Sequence, residues 1–168
     1  RLFLHPVKGM AAVEVDRLEL DELGPAGDRR WLVVDPAGEE FYTQRNRPGM
    51  ARVRAEPRER GTASGGGLRL LAPGFEAVEL DEPDPDAPRL SVPIWNDRVE
   101  ARVAADDACR WLSEVLGEPV TLVWLPPDAA RPVMEELSGP VDASGEVAPS
   151  EPSDGRPEAG EGEAPGRA

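Results

Sequence analysis

Apolar residues in the first half of the chain fall into short runs, each bounded by turn-forming residues. Positions 2–7 are apolar-rich and end at Pro6-Val7-Lys8-Gly9, which predicts a first strand. Residues 12–20 set Val13, Val15, Leu18 and Leu20 among acidic positions, the pattern of a half-buried strand with a bulge near Arg17. Leu23-Gly24-Pro25-Ala26-Gly27 reads as a turn. Trp31-Leu32-Val33-Val34 is uninterrupted, as in a strand covered on both faces. Asp35, Pro36 and Gly38 then suit the first, second and fourth positions of a type I turn, which makes residues 41–45 the returning strand.

Further on, residues 50–55 alternate Met50, Arg52 and Arg54 with Ala51, Val53 and Ala55, predicting a strand with one basic face. Residues 61–67 are a Gly-rich connector, and 68–71 and 75–80 are a further strand pair. An acidic, Pro-rich loop over 81–88 leads to strands at 90–95 and 98–103, joined by Asn96-Asp97 as a two-residue hairpin turn. Ala108, Trp111, Leu112, Val115 and Leu116 recur at helical spacing, with Asp106 placed to cap the start and Gly117 the end. Residues 120–125 form a last strand before Pro126-Pro127. Many short strands with one late amphipathic helix predict a mainly β, barrel-like or sandwich fold of short antiparallel strands.

Composition divides the chain. From Met134 onward nine acidic residues face Arg156 and Arg167, so this stretch carries −7 of the formal net charge of −14. An acidic segment rich in Pro, Gly and Ser buries too little apolar surface to offset its ordering entropy. The expected organisation is therefore a folded domain over 1–127 and a disordered acidic tail or linker over 128–168. The negative charge argues against nucleic acid as a partner, because neutralising phosphates needs the opposite sign. No apolar run approaches a membrane span and no signal-peptide pattern is present. With Cys109 the only cysteine and His5 the only histidine, neither a disulfide framework nor a Cys/His zinc site can form within the chain, and a cytoplasmic setting is the expectation.

Three groups of residues carry candidate chemistry. Of 19 basic residues only Lys8 is lysine; in a chain so biased toward arginine, the exception hints at a need for a compact ammonium. A solvated turn lysine is the alternative. Asp28-Arg29-Arg30-Trp31 opens the buried strand; alternation sends Arg29 and Trp31 to one face, with Asp28 as an orienting partner for Arg29, and the motif suits either a structural ion pair or an anion contact. Thr43-Gln44-Arg45, followed by Asn46-Arg47, offers a hydroxyl, amides and guanidiniums at a strand end, fit for phosphate or a polar heterocycle or simply solvated. Between Arg29 and Arg54 lie six arginines against Asp35, Glu39 and Glu40, a basic region within an acidic chain. His5 reads as a packed or surface histidine, and Cys109 as a buried structural thiol beside the helix's apolar face. No Ser/His/Asp set, nucleophile elbow, Walker loop or dinucleotide fingerprint occurs, so catalysis by this chain alone is not expected.

Taken in order, Leu2-Phe3-Leu4-His5-Pro6-Val7-Lys8-Gly9, Gly27-Asp28-Arg29-Arg30-Trp31-Leu32-Val33-Val34-Asp35 with Gly38, and Thr43-Gln44-Arg45 with Pro48 resemble the N-terminal β-barrel domain of MOSC proteins. That family includes the mitochondrial amidoxime-reducing components and YcbX-like bacterial proteins. Val92-Pro93-Ile94-Trp95 with Val99, and Trp111-Leu112 with Leu116-Gly117, extend the resemblance to about residue 127. It implies a barrel packed on a MOSC domain, with molybdenum cofactor (a molybdopterin) between them. Lys8 and Arg29 would reach the pterin or phosphate, and Thr43 and Arg45 would line the same cleft. Gly9 stands where relatives often carry serine, so only its backbone amide would serve.

The family's metal-ligating cysteine belongs to the MOSC domain. The aromatic-Asp-Gly-Tyr-Pro stretch that opens that domain is missing after Pro127, and Cys109 is in the wrong element to replace the ligand. The resemblance therefore implies a cofactor-binding half of an oxidoreductase acting on N-oxygenated substrates, or of a sulfur-transfer enzyme. The MOSC domain would be supplied in cis or in trans, with an Fe–S or flavin protein as redox partner. A stand-alone anion-binding or interaction module without activity, and a non-functional remnant, are the alternatives.

Overall fold

The computed structural model describes residues 1–21, 24–58, 66–94, 97–126 and 129. In chain order these form β1 (Leu2–Leu4), β2 (Val13–Val15), β3 (Leu20–Asp21), β4 (Gly24–Pro25), β5 (Trp31–Val34), a 3₁₀ turn (Pro48–Arg52), β6 (Arg54–Arg58), β7 (Gly67–Leu71), β8 (Val78–Asp81), β9 (Arg89–Ile94), β10 (Asp97–Val103), α1 (Asp106–Leu116) and β11 (Thr121–Trp124). The ladders between these strands are antiparallel, giving a four-stranded sheet β5-β11-β10-β9, a three-stranded sheet β6-β7-β8, and the ribbons β1-β2 and β3-β4. The fold is mainly β, curled and barrel-like, with one helix late in the chain. No helix among the described residues is long and apolar enough to cross a membrane.

β5 shows why its run has no polar position. Trp31 and Val33 belong to a core shared with Leu68, Leu70 and Leu80 of the three-stranded sheet and with Leu112 of α1. Leu32 and Val34 face a second core with Val92, Ile94, Ala101 and Val123. Buried on both faces, the strand tolerates only apolar side chains. Trp124 lies opposite Trp31 across the β11 ladder, their ring centroids 6.5 Å apart.

α1 buries Ala108 and Leu112 one turn apart, and Trp111, Val115 and Leu116 pack on the same core. Gly117 ends it in the left-handed region at φ 75°, its N–H bonded to Ser113 O at 2.9 Å. The start differs from expectation: Ala105 is the N-cap and Asp106 is already helical. Ala104 N–H is still held by Leu122 O, so the chain leaves the sheet only at Ala105. Asp106 and Asp107 instead place negative charge in the first turn, where the helix dipole favours it.

Other boundaries also move. The first strand stops at Leu4, because His5 N–H turns to the Asp28 carboxylate and Pro6 has no N–H to give; Val7 keeps one parallel bridge to Trp31. The strand expected over 12–20 splits into β2 and β3, and Gly24-Pro25, read as a turn, pairs with Leu20-Asp21. The return over 41–45 shrinks to one bridge, Val34 to Phe41. Residues 48–52 form a 3₁₀ turn rather than a strand, since Pro48 presets its first φ; Met50 is buried instead of sharing a face with exposed Arg52 and Arg54. Asp97 pairs with Ile94 and so belongs to β10 rather than to the expected turn, whose other member, Asn96, lies outside the described residues. Either register keeps Val92 and Ile94 on one face with Val99 and Ala101, so alternation does not distinguish them.

By internal contacts the chain divides into two units, Arg1–Arg131 and Pro132–Ala168. The second unit, and with it the expected disordered tail apart from Ala129, lies outside the described residues, as do 61–65 of the Gly-rich connector.

Candidate functional site

Two loops build the site. The first follows β1. Residues 5–8 run beside the turn that feeds β5: Arg29 N–H donates to His5 O at 2.7 Å, Trp31 N–H to Pro6 O at 3.1 Å, and Lys8 N–H to Trp31 O at 2.9 Å. Gly9 then reverses the chain at φ 81°, and a Cβ there would sit 2.8 Å from Thr43 Cα and 3.3 Å from Tyr42 O. Glycine is thus required twice, by a left-handed backbone and by contact with the second loop. The serine that the resemblance suggests for this position would collide with that backbone.

The second loop begins at Asp35. Its Oδ1 accepts the N–H groups of Glu39 and Glu40 at 2.7 and 2.6 Å, and its Oδ2 accepts that of Ala37 at 3.1 Å. These backbone bonds, that of Glu40 foremost, hold the Asp35 carboxyl below its ordinary value of 3.8 against the opposing effect of burial. Tyr42 N–H bonds to Val33 O at 2.7 Å and fixes the end of this turn against β5. Beyond it the chain winds around Asn46, whose Oδ1 accepts Thr43 N–H at 2.7 Å and whose Nδ2 donates to Glu40 Oε1 at 2.9 Å.

Between the loops lies a cleft of about 820 Å³, and Lys8, Gly9, Arg29, Thr43 and Arg45, the five residues singled out from the sequence, all line it. His5, Phe41, Gln44 and Asn46 also line it, as do Met10 and Pro93. His5 was readable only as a packed or surface histidine. Its place in the wall follows from the hydrogen bonds of its own N–H and C=O, which sequence does not display.

The five residues hold different stations. Lys8 Nζ lies 4.0 Å from the Phe41 ring centroid, a cation–π contact that keeps the ammonium at the wall. Arg29 lies in a turn rather than on a strand, so the expected alternation with Trp31 does not apply; at φ 50° it is the non-glycine residue with positive φ among those described. Its NH1 donates to Asp28 Oδ2 at 2.6 Å, as the orienting role expected of Asp28 requires. The Thr43 hydroxyl is used within its own turn, accepting from Arg45 N–H at 3.2 Å and donating to Asn46 Oδ1 at 3.2 Å. Arg45 is exposed and, among the described residues, makes neither an ion pair nor a side-chain hydrogen bond, whereas Arg47 is bonded to Glu118 at 2.6 Å.

Two carboxylates share the rim, each with a partner: Glu39 meets Arg98 at 3.2 Å and Glu40 meets Asn46. Other recesses offer an anion less. A smaller one of about 230 Å³ contains Arg30 and Arg58, which are spent on Asp21 and Asp81, each at 2.9 Å. A groove of about 710 Å³ beside the start of α1 is lined by Asp81, Glu82, Asp84, Asp86, Asp106 and Asp107. Cys109 is in α1 and outside the cleft; burial pushes its thiol up, and its Sγ accepts Leu122 N–H at 3.4 Å. The cleft therefore combines cations with an apolar wall of Phe41, Met10 and Pro93. This donor set fits a flat, phosphate-bearing group and brings no thiolate to a metal.

Comparison with known proteins identifies the family and the fold. The family model described as the MOSC N-terminal beta barrel domain matches residues 1–119. Molybdenum cofactor sulfurase of Danio rerio is 28% identical over 135 residues, covering 77% of this chain and 16% of that protein. The Bos taurus molybdenum cofactor sulfurase is 28% identical over 124 residues, 73% of this chain and 14% of its own length. The chain thus spans a small fraction of the curated relatives it matches. A solution structure of a Bordetella bronchiseptica protein superposes with a TM-score of 0.50 at 23% identity, over 74% of this chain and 99% of that one, a likeness of fold.

Proposed function

The chain belongs to the MOSC N-terminal beta barrel domain family, and from that premise we propose that its cleft holds the pterin and phosphate end of a molybdenum cofactor shared with a MOSC domain in cis or in trans. The observation that carries this reading is the convergence of Lys8, Arg29 and Arg45 on one cleft, with the Arg45 guanidinium unspent on any described carboxylate. Arg45 and Arg29 would take the phosphate oxygens, and Lys8 would add a point charge beside Phe41, against which a flat ring can lie. Thr43 shapes the turn that presents Arg45, and Gly9 lets the two loops meet.

When bound, the cofactor supplies metal-centred redox or sulfur-carrying chemistry, with its thiolate ligand coming from the MOSC domain. This chain's residues bind and orient it. The names of the curated relatives favour sulfur transfer over reduction of N-oxygenated substrates; the reductase version would draw electrons from an Fe–S or flavin partner. Retention of molybdenum cofactor by the purified chain tests the proposal. Retention that falls with Lys8→Ala and with Arg29→Ala supports it. No retention, or retention indifferent to both changes, refutes it, and equal retention of free phosphate would mark a plain anion-binding module.

A further inference from the structure

We propose that Asp28 is a positioning residue of the cleft: its carboxylate aims the Arg29 guanidinium at the ligand, and this outweighs the repulsion its own negative charge offers an anion. The inference rests on the anion-binding reading of the cleft.

The geometry is a closed brace. Asp28 Oδ1 accepts His5 N–H at 2.8 Å and its Oδ2 accepts Arg29 NH1 at 2.6 Å, while Arg29 N–H donates to His5 O at 2.7 Å. One carboxylate thus ties together both sides of the wall that carries His5, Lys8 and Arg29. The Asp28 side chain is 15% exposed and that of Arg29 60%, so the acid sits behind the base rather than beside it in solvent. Arg29 also adopts a left-handed backbone, which L-residues reach at a cost and keep only where surrounding bonds hold them. A free arginine side chain has many rotamers, and fixing one before the ligand arrives removes that cost from binding.

The proposal makes a prediction opposite in sign to simple electrostatics. Asp28→Asn keeps an oxygen for His5 N–H and nearly the same shape, and it deletes one negative charge next to the cleft. On charge alone it would tighten an anion. A positioning role requires it to weaken the anion instead, by roughly fivefold.

The experiment measures inorganic pyrophosphate affinity for the wild type, Asp28→Asn, Arg29→Ala and the double variant, together with side-chain nitrogen NMR of Arg29 in the free proteins. The expected result is weaker binding by Asp28→Asn and no further weakening when Arg29 is already alanine. The Arg29 guanidinium is expected to be restrained in the wild type and freely rotating in Asp28→Asn. Tighter or unchanged binding by Asp28→Asn overturns the proposal, as does an Arg29 guanidinium equally mobile in both proteins. If the wild type binds no pyrophosphate, the reading of the cleft fails and the ligand-free NMR comparison alone decides what Asp28 does.

Discussion

Arg47 Nε donates to Glu118 Oε1 at 2.6 Å, joining the loop that carries Arg45 to the turn that follows α1. Glu118 Oε2 also accepts the Tyr42 hydroxyl at 3.2 Å, and the Arg47 guanidinium stacks over the Tyr42 ring at 4.4 Å. Two residues of one loop thus meet different fates: Arg47 is spent on anchoring, and Arg45 makes no ion pair among the described residues. The anchor stands on the core, since Tyr42 is buried among Val7, Met10 and Val33.

Tyr42 is the only tyrosine, so tyrosinate absorbance reports on it alone. Burial foremost pushes its phenol above the ordinary 10.0, and the nearby Glu118 charge adds to this while the Arg47 bond opposes it. A raised folded value means that the stability tied to the neutral phenol is fully present below 10.0 and lost as pH rises through the folded value. Spectrophotometric titration is expected to find a midpoint above 10.0, lowered by Glu118→Gln. A midpoint at the ordinary value in the folded protein would show that the hydroxyl is not held as described.

Gly9→Ala is expected to destabilise the domain by about 2–4 kcal/mol, because it combines a left-handed backbone with overlap against backbone atoms that cannot swing away. A urea unfolding series measures the loss. A neutral result would mean that the Gly9 and Thr43 loops are not in contact.

Asp35 gives an acid-side test. Its folded carboxyl is held below 3.8, so the stability it confers is present above that value and lost as pH falls through the lower folded one. The gap in denaturation midpoint between the wild type and Asp35→Asn is expected to stay constant from neutral pH to about pH 5 and to close below about pH 4. A gap independent of pH would contradict the role of the carboxylate charge in the 35–40 turn.

Leu112 is fully buried where α1 meets the core. Leu112→Ala is expected to cost about 2–5 kcal/mol by leaving a cavity, read from the same urea series. A loss below 1 kcal/mol, well under the usual range for such a deletion, would mean that the helix is not seated as described.

Sequence showed what packing imposes on composition. The unbroken apolar run of β5 follows from its two buried faces, and the spacing of Ala108, Leu112 and Leu116 follows from α1 having one. The members of the cleft were legible for a different reason: Lys8 is the lone lysine, Arg29 leads into the buried apolar run, and Gly9 with the shared cleft came from the family resemblance. What sequence hid depends on distant partners or on choices that alternation leaves equal. Met50 and Arg52 alternate as a strand would, yet Pro48 starts a 3₁₀ turn there. The Thr43 hydroxyl, a candidate ligand contact by sequence, also bonds within its own turn to Asn46 and Arg45. Arg45 and Arg47 are alike in sequence, and only Glu118, far along the chain, tells them apart.

The central claim is that the cleft between the Lys8 and Arg45 loops binds a phosphate-bearing pterin. Amide shift mapping with a phosphorylated pterin, beside the same pterin without phosphate, tests it most directly. The expected result is saturable shifts at Lys8, Gly9, Arg29, Gln44 and Arg45 that need the phosphate and disappear in Arg45→Ala. Shifts that fall elsewhere, or that persist in Arg45→Ala, would contradict it.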